Sequence, residues 1–200
     1  MLKKSILGVG LVLSGLVALF CLVVVLQPSG FSVERSTTMN APPGRAFEQV
    51  NDLALWDAWS PWSKLDPNAT TSLSQPSAGK GATFDWAGNA DIGEGTLTIV
   101  DSRPNERVEV EQVFVKPFAG KANFTFVFAP ADGGTRLLWK MEGQNDFMGK
   151  AMCLFMDLDS MLGKDFEQGL ANLKAIAEGS QVEEAAAERA EEPASEGSKS

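Results

Sequence analysis

The stretch from Asp146 to Glu178 contains no proline, and its apolar residues recur at spacings of three and four. This spacing places them on one face of an amphipathic helix. Asn145 or Asp146 can cap the start of that helix, and Gly179 can end it. A continuous helix here would be about 48 Å long. An apolar face of that length needs one large partner surface, and this requirement constrains the rest of the chain.

The preceding region supplies that surface as a predicted meander of strands. Apolar and polar residues alternate along short segments that are separated by Gly, Pro, Asn and Asp. We predict two short helices, 45–51 and 53–59, after the first strand. Short connections favour antiparallel pairing. The predicted strands cover 31–39, 70–75, 81–87, 91–102, 106–116, 120–130 and 134–143.

The segment 106–116 departs from simple alternation. Val108 and Val110 share one phase, whereas Val113 and Val115 share the other. An extra residue near Glu111-Gln112 would explain the slip, because a β-bulge shifts the phase and bends the sheet.

The N-terminal segment is strongly apolar. Residues 6–26 contain no charge and no proline, and as a helix they would span about 32 Å, enough to cross a bilayer. At its end the sequence reads Val-Val-Leu and continues with Gln27-Pro28, which lacks the small residues of a signal-peptidase site. We therefore predict an uncleaved signal anchor; a cleaved signal peptide and a buried helix are the alternatives. Lys3 and Lys4 favour a cytoplasmic N-terminus and a domain on the other side.

Composition excludes several classes of function. The chain has no histidine, which removes histidine-based triads and His-based zinc or iron sites. Its net charge of −9 makes nucleic acid a poor partner. Cys21 and Cys153 lie in different regions and do not predict a disulfide. We expect no metal and no cofactor.

The chain divides into three regions. Residues 1–30 form the predicted transmembrane anchor and connector, and 31–178 form one domain. Residues 179–200 are rich in Ala and Glu and nearly free of large apolar residues, so we predict a disordered acidic tail.

Residues 31–178 resemble the superfamily of START-related lipid-binding domains and polyketide cyclase/dehydrase-like proteins, including membrane-anchored bacterial members. The resemblance rests on Val33-Glu34-Arg35-Ser36 before Ala41-Pro42-Pro43, on Val50-Asn51-Asp52-Leu53 and Trp56-Asp57-Ala58-Trp59-Ser60-Pro61-Trp62, on Trp86-Ala87-Gly88-Asn89 and Gly93-Glu94-Gly95, and on Gly133-Gly134-Thr135 before Leu138-Trp139.

The resemblance implies an α+β helix-grip fold. In that fold a strongly bent seven-stranded antiparallel sheet wraps around the long C-terminal helix, with two short helices after strand 1. A hydrophobic pocket lies between sheet and helix, but the family does not imply a single activity. Together with the apolar segment, it predicts a single-pass protein of a bacterial inner membrane whose domain is extracytoplasmic.

Aromatic and methionine side chains are the candidates for lining the pocket, because flat rings and flexible thioethers suit an apolar guest. The predicted lining residues are Trp59, Trp62, Trp86, Phe126, Trp139, Met152, Phe155 and Met156.

An enzyme would also need a polar group inside the pocket. Glu111 at the suspected bulge and Asp57 are weak candidates for a general acid or base. Asp85 stands between two aromatic residues and is expected to face solvent, and Glu94 between two glycines is expected at the surface.

Three functions remain open at this point. The first is a membrane-anchored, non-enzymatic domain that binds a lipid or other apolar small molecule, and the missing catalytic constellation favours it. The second is a cyclase/dehydrase-type enzyme that uses Glu111 or Asp57. The third is a protein-interaction module without an open pocket, which docks a membrane partner through Trp56, Trp59 and Trp62.

Overall fold

The computed structural model describes residues 2–191, with side chains described for residues 10–179. One short 3₁₀ helix, Leu53–Ala58, stands among four α-helices and seven strands. In chain order, the elements are α1 (Leu2–Leu26), β1 (Gly30–Met39), α2 (Pro43–Asn51), the 3₁₀ helix, β2 (Thr70–Leu73), β3 (Thr83–Ala87), β4 (Glu94–Arg103), β5 (Arg107–Lys116), β6 (Gly120–Ala131), β7 (Gly134–Gln144), α3 (Phe147–Cys153) and α4 (Leu158–Glu191).

The seven strands form one antiparallel sheet in the order β1-β7-β6-β5-β4-β3-β2. Every strand pairs with its neighbour in sequence except β1, which returns to the sheet beside β7. Buried residues of α4, among them Phe166, Leu170 and Leu173, share one core with the inward side chains of the sheet. The predicted helix-grip arrangement, with two short helices after the first strand, is confirmed.

The bulges of the sheet lie elsewhere than the sequence predicted. Register shifts between β4 and β5 leave Val100 and Val115 without an opposite residue, whereas Glu111 and Gln112 keep regular partners on both neighbouring strands. The prediction of a bulge near Glu111-Gln112 was therefore wrong. A bulge at Glu111-Gln112 would have turned Val113 toward the inner face. Instead, Val113 and Val115 lie on the outer face, and Gln112 points inward.

The long C-terminal helix is broken in two. Asp146 caps α3 by accepting a hydrogen bond from the backbone N–H of Gly149 at 2.8 Å, as predicted. The helix then stops, and Asp157 caps a new one, because its carboxylate accepts from the backbone N–H of Asp159 and from the hydroxyl of Ser160 at 2.6 Å. These hydrogen bonds lower the pKa of Asp157 below its usual value. The Asp157 cap starts a new helix within the stretch from Asp146 to Glu178, and this explains why one continuous helix does not form.

The second of these helices, α4, continues past the predicted end at Gly179 to Glu191. The tail predicted as disordered begins at residue 179, so its part up to residue 191 is helical in the structure. Residues 192–200 lie outside the described residues, and disorder there stays a prediction.

The N-terminal helix α1 contacts α3, and Phe20 of α1 stacks on Phe155, which follows α3, with ring centroids 6.5 Å apart. In the part of the chain that the structure describes, no helix combines the length and apolar character needed to cross a membrane. The transmembrane helix predicted over residues 6–26 is thus not supported.

A cluster of stacked aromatic rings joins α4 to the sheet. Trp139 of β7 lies flat on Phe166 of α4, with ring centroids 4.2 Å apart and ring planes within 3°. Phe126 stacks on the same indole at 5.1 Å, and Trp59 meets its edge at 5.5 Å. All four rings are buried. We call Trp59, Phe126, Trp139 and Phe166 the aromatic core.

Outside this core, Arg35 of β1 links the sheet to the first turns of α4. Its guanidinium donates to the carboxylate of Asp159 at 2.9 and 3.0 Å and to Glu167 at 3.0 Å. The hydrogen bond from Arg35 holds the pKa of Asp159 below its usual value.

The aromatic core predicts opposite effects for two alanine substitutions on α4. A Cβ at Gly169 would lie 2.8 Å from Trp139 and 3.2 Å from Pro61, whereas a Cβ at Gly179 would meet nothing within 4 Å. We expect Gly169→Ala to lower the free energy of unfolding by about 1–3 kcal/mol through overpacking. Gly179→Ala should raise it by up to about 1 kcal/mol through helix propensity. Urea denaturation of both variants measures the difference, and equal stabilities would contradict this packing.

The ion pair of Arg35 predicts a pH-dependent contribution to stability. Because the folded-state pKa of Asp159 lies below the usual 3.8, the contribution is complete above that pH and disappears as pH falls through the lowered pKa. The melting temperatures of wild type and Arg35→Met should therefore differ by a constant amount from pH 7 to 5 and converge toward pH 2. Thermal melts across this range test it, and a gap that is unchanged at low pH would refute the assignment.

Candidate functional site

A cavity of about 550 Å³ lies beside the aromatic core, between the concave face of the sheet and the segment 53–69. Its volume falls within the range of small-molecule sites, roughly 300–1,000 Å³. Among the described side chains of the C-terminal helix, Leu162 alone contributes to its wall. The helix therefore packs on one part of the concave face, and the cavity lies over another part, beneath segment 53–69.

The wall of the cavity is built mainly from apolar side chains of six strands, the 3₁₀ helix, α4 and two loops. Its lining residues are Leu53, Ala54, Trp56, Asp57, Ser60, Trp62, Ser63, Asp66, Ala69, Thr71, Leu73, Phe84, Trp86, Asp91, Ile92, Leu97, Gln112, Phe114, Phe124, Met141 and Leu162.

Three rings form the side of the cavity nearest the sheet edge. Phe84 and Trp86 are stacked with centroids 6.5 Å apart, and Phe114 meets Trp86 edge-on at 5.8 Å. Gly95 stands opposite Trp86, and a Cβ there would come within 2.7 Å of the indole. The indole N–H donates to the carbonyl of Ile92 at 2.9 Å. Because Gly95 has no side chain, the indole of Trp86 can pack flat against the backbone of β4.

Trp62 forms the boundary between the cavity and the aromatic core. Its ring stacks on Phe124 at 6.5 Å and meets Phe166 edge-on at 6.2 Å. Its N–H donates to the carboxylate of Asp165 on α4 at 3.2 Å. The ring is therefore held from both sides and presents a fixed apolar face to the cavity.

One buried polar side chain interrupts the apolar floor. Gln112, on the central strand β5, is only 9% exposed and lines the cavity. Its Oε1 has no hydrogen-bond partner among the described residues. Trp139 Nε1 is also without one in the described part of the chain, but it lies in the closed aromatic core and does not line the cavity.

The mouth of the cavity is acidic. Asp57 and Asp91 are exposed and Asp66 is half-buried, and no lysine or arginine is among the described lining residues. Asp66 also holds two loops together, because its carboxylate accepts from the backbone N–H of Asn68 at 3.0 Å and of Asn89 at 2.7 Å.

The eight residues predicted to line the pocket fall into three groups. Trp62 and Trp86 line the cavity. Trp59, Phe126 and Trp139 point to the concave face but are enclosed in the aromatic core, because α4 packs on that half of the sheet. Met152, Phe155 and Met156 are exposed, Phe155 by 80%, because the chain breaks after α3 and turns this segment away from the sheet.

Neither predicted carboxylate lies inside the cavity. Asp57 lines its mouth but is exposed. Glu111 faces away from Gln112 and pairs with Lys121 at 3.3 Å, since it occupies a regular outward position of β5. Asp85 is exposed as predicted and accepts a hydrogen bond from Thr96 at 2.6 Å. Within the described residues, no group of three or more acidic or cysteine side chains is arranged to hold a metal.

The tryptophan surface of the third hypothesis is not available for docking. Trp56 is 7% exposed and Trp59 1% exposed, and their N–H groups donate to the carbonyls of Val50 and Gln49. Both rings serve to fix the 3₁₀ helix on the sheet.

Several lining residues were missed by the sequence analysis, above all Phe84, Leu97, Gln112 and Phe114. The alternation of Phe84 with Trp86 was a sufficient signal for the first. Gln112 and Phe114 were missed because a bulge was predicted at the wrong place. With a bulge at Glu111-Gln112, Val113 would point inward in place of Gln112 and Phe114.

Comparison with known proteins gives the family. Residues 30–178 match the family described as polyketide cyclase / dehydrase and lipid transport. A comparison with curated proteins finds no match.

Solved structures share the fold at low sequence identity. A protein from Chromobacterium violaceum is 18% identical with a TM-score of 0.54, covering 74% of this chain and 96% of its own. An uncharacterised protein from Rhizobium leguminosarum is 18% identical with a TM-score of 0.55, covering 76% and 97%. The di-domain ARO/CYC protein BexL is 18% identical with a TM-score of 0.56, covering 78% and 52%.

At these identities the structural likeness shows the fold alone, whereas the family match extends over the whole domain between α1 and the last turns of α4. The chain therefore belongs to the polyketide cyclase / dehydrase and lipid transport family.

Proposed function

We propose that this protein is a non-enzymatic binding protein that holds an apolar small molecule in the cavity between the sheet and segment 53–69. The observation that carries the proposal is the cavity of about 550 Å³ with aromatic and aliphatic walls. Burial of an apolar guest against such walls releases roughly 25 cal/mol for each Å² removed from water.

The arrangement of polar groups favours binding over catalysis. A general acid or base must come within hydrogen-bond reach of the reacting atoms, and burial tunes its pKa. The acidic side chains of the lining stand at the solvent-exposed mouth, and Gln112 inside the cavity is an amide that cannot transfer protons in this way. An ARO/CYC protein shares the fold, but the site residues of this chain supply no pair of groups for cyclisation.

The proposal predicts that filling the cavity weakens the uptake of an apolar probe. Ala69 lines the cavity, whereas Ala58 ends the 3₁₀ helix, is exposed and does not line it. We expect the uncharged probe N-phenyl-1-naphthylamine to bind wild type and Ala58→Phe equally. It should bind Ala69→Phe about tenfold more weakly, because the added ring occupies the guest's space. The dissociation constants are measured from the increase in probe fluorescence.

The matched pair is needed because α1 also exposes apolar side chains that can take up the probe. Binding that is equal in all three proteins would place the probe outside the cavity and count against the proposed function.

Attachment to a membrane through residues 6–26 stays a prediction that rests on the sequence. It predicts that the full chain remains with bacterial membranes after a carbonate wash. Leu16→Arg/Val17→Arg should be released, because each arginine in the centre of a span costs about 2.5–3.5 kcal/mol. Leu16→Ala/Val17→Ala is the control and should stay bound. Recovery of the unaltered chain in the wash would contradict membrane attachment.

A further inference from the structure

Gln112 places a hydrogen-bonding group among apolar side chains on the sheet side of the cavity. Its neighbours across the sheet are Leu97 and Ala122, both buried. Its Oε1 is buried without a partner among the described residues. Leaving a buried polar atom unpaired costs free energy of folding. A residue of this kind is expected where a ligand supplies the missing partner.

The mouth adds a second constraint, because the charge of its described lining is acidic only. An anionic ligand would pass and remain near Asp57, Asp66 and Asp91 without a cation to pair with. Like charges repel, and a buried anion needs a partner. The cavity therefore disfavours carboxylates, sulfonates and phosphates.

We propose that the cavity selects an uncharged aromatic or polycyclic molecule that carries one hydroxyl or similar donor, which meets the carboxamide of Gln112. This inference rests on the proposed function and assigns its ligand class. The walls supply the fit for flat rings, since Phe84, Trp86 and Phe114 present ring faces and edges to the guest. Gln112 then reads the position of the hydroxyl, and the mouth rejects charged analogues.

Three naphthalenes that differ in one substituent test the proposal. 2-Naphthol carries a hydroxyl, 2-methylnaphthalene replaces it by a methyl group, and 2-naphthoate replaces it by a carboxylate. Their dissociation constants are measured by equilibrium dialysis against the full chain at neutral pH. The same measurements are made on Gln112→Met, which keeps the length of the side chain and removes the amide.

The expected result is a change in preference and not a general loss of binding. The ratio of the dissociation constants of 2-methylnaphthalene and 2-naphthol should be about fivefold larger in wild type than in Gln112→Met, the effect of one hydrogen bond. Gln112→Met should melt at the same or a higher temperature, because it removes an unpaired polar atom. Gln112→Leu provides the same comparison as a second variant.

2-Naphthoate tests whether the acidic mouth disfavours an anionic ligand. 2-Naphthoate should bind wild type at least about tenfold more weakly than 2-naphthol, and Asp57→Asn/Asp91→Asn should narrow that gap by removing the repulsion.

Two failures are distinguishable. If 2-naphthol and 2-methylnaphthalene bind with a ratio that Gln112→Met does not change, the role of Gln112 is overturned while the proposed function stands. If none of the three naphthalenes binds the wild type, the proposed function fails and the ligand class fails with it.

Discussion

The stacking of Trp139 on Phe166 is the contact on which the rest of this structure depends. A flat pair of rings at 4.2 Å fixes both the distance and the rotation of α4 against the sheet. Fully burying each such side chain contributes roughly 1.5–3 kcal/mol. The helix can approach this closely because Gly169 leaves room for the edge of the indole. Trp59 and Phe126 then close around the pair, and the aromatic core becomes the fixed point of the domain.

The cavity is a consequence of where this core ends. The core occupies the part of the concave face under α4, and Trp62 packs edge-on against Trp139 and Phe166 at its border. Beyond Trp62 the concave face is covered by the 3₁₀ helix and the loop to β2, which bridge the space without filling it. Rigid packing on one side and a loop cover on the other produce an apolar space with a fixed wall. Such a preformed space suits the binding of an apolar guest.

The sequence predicted the architecture well because alternation and turn residues act locally. All seven strands were predicted, and the short helices were placed correctly, since Pro43 and Asp52 define their starts. The break before Asp157 was not predicted, because the apolar spacing continues through it and the local capping signal of Asp157 was not weighed against that spacing.

The site was harder to predict than the fold. Phe126 and Trp139 were assigned to the correct face of the sheet, but periodicity does not tell which part of that face the helix covers. Gln112 was missed for a different reason. A polar residue at an inward position looks like a shift in the alternation of the strand, and a bulge is the simplest explanation for such a shift. The residues that break a local pattern were thus the most informative about the site.

The most direct test of the central claim is a crystal structure of the full chain with N-phenyl-1-naphthylamine bound. We expect density for the probe between Trp62 and Trp86, above Gln112, with the aromatic core unchanged. Density confined to the exposed apolar surface of α1 and α3, or a cavity closed by its own side chains, would contradict it.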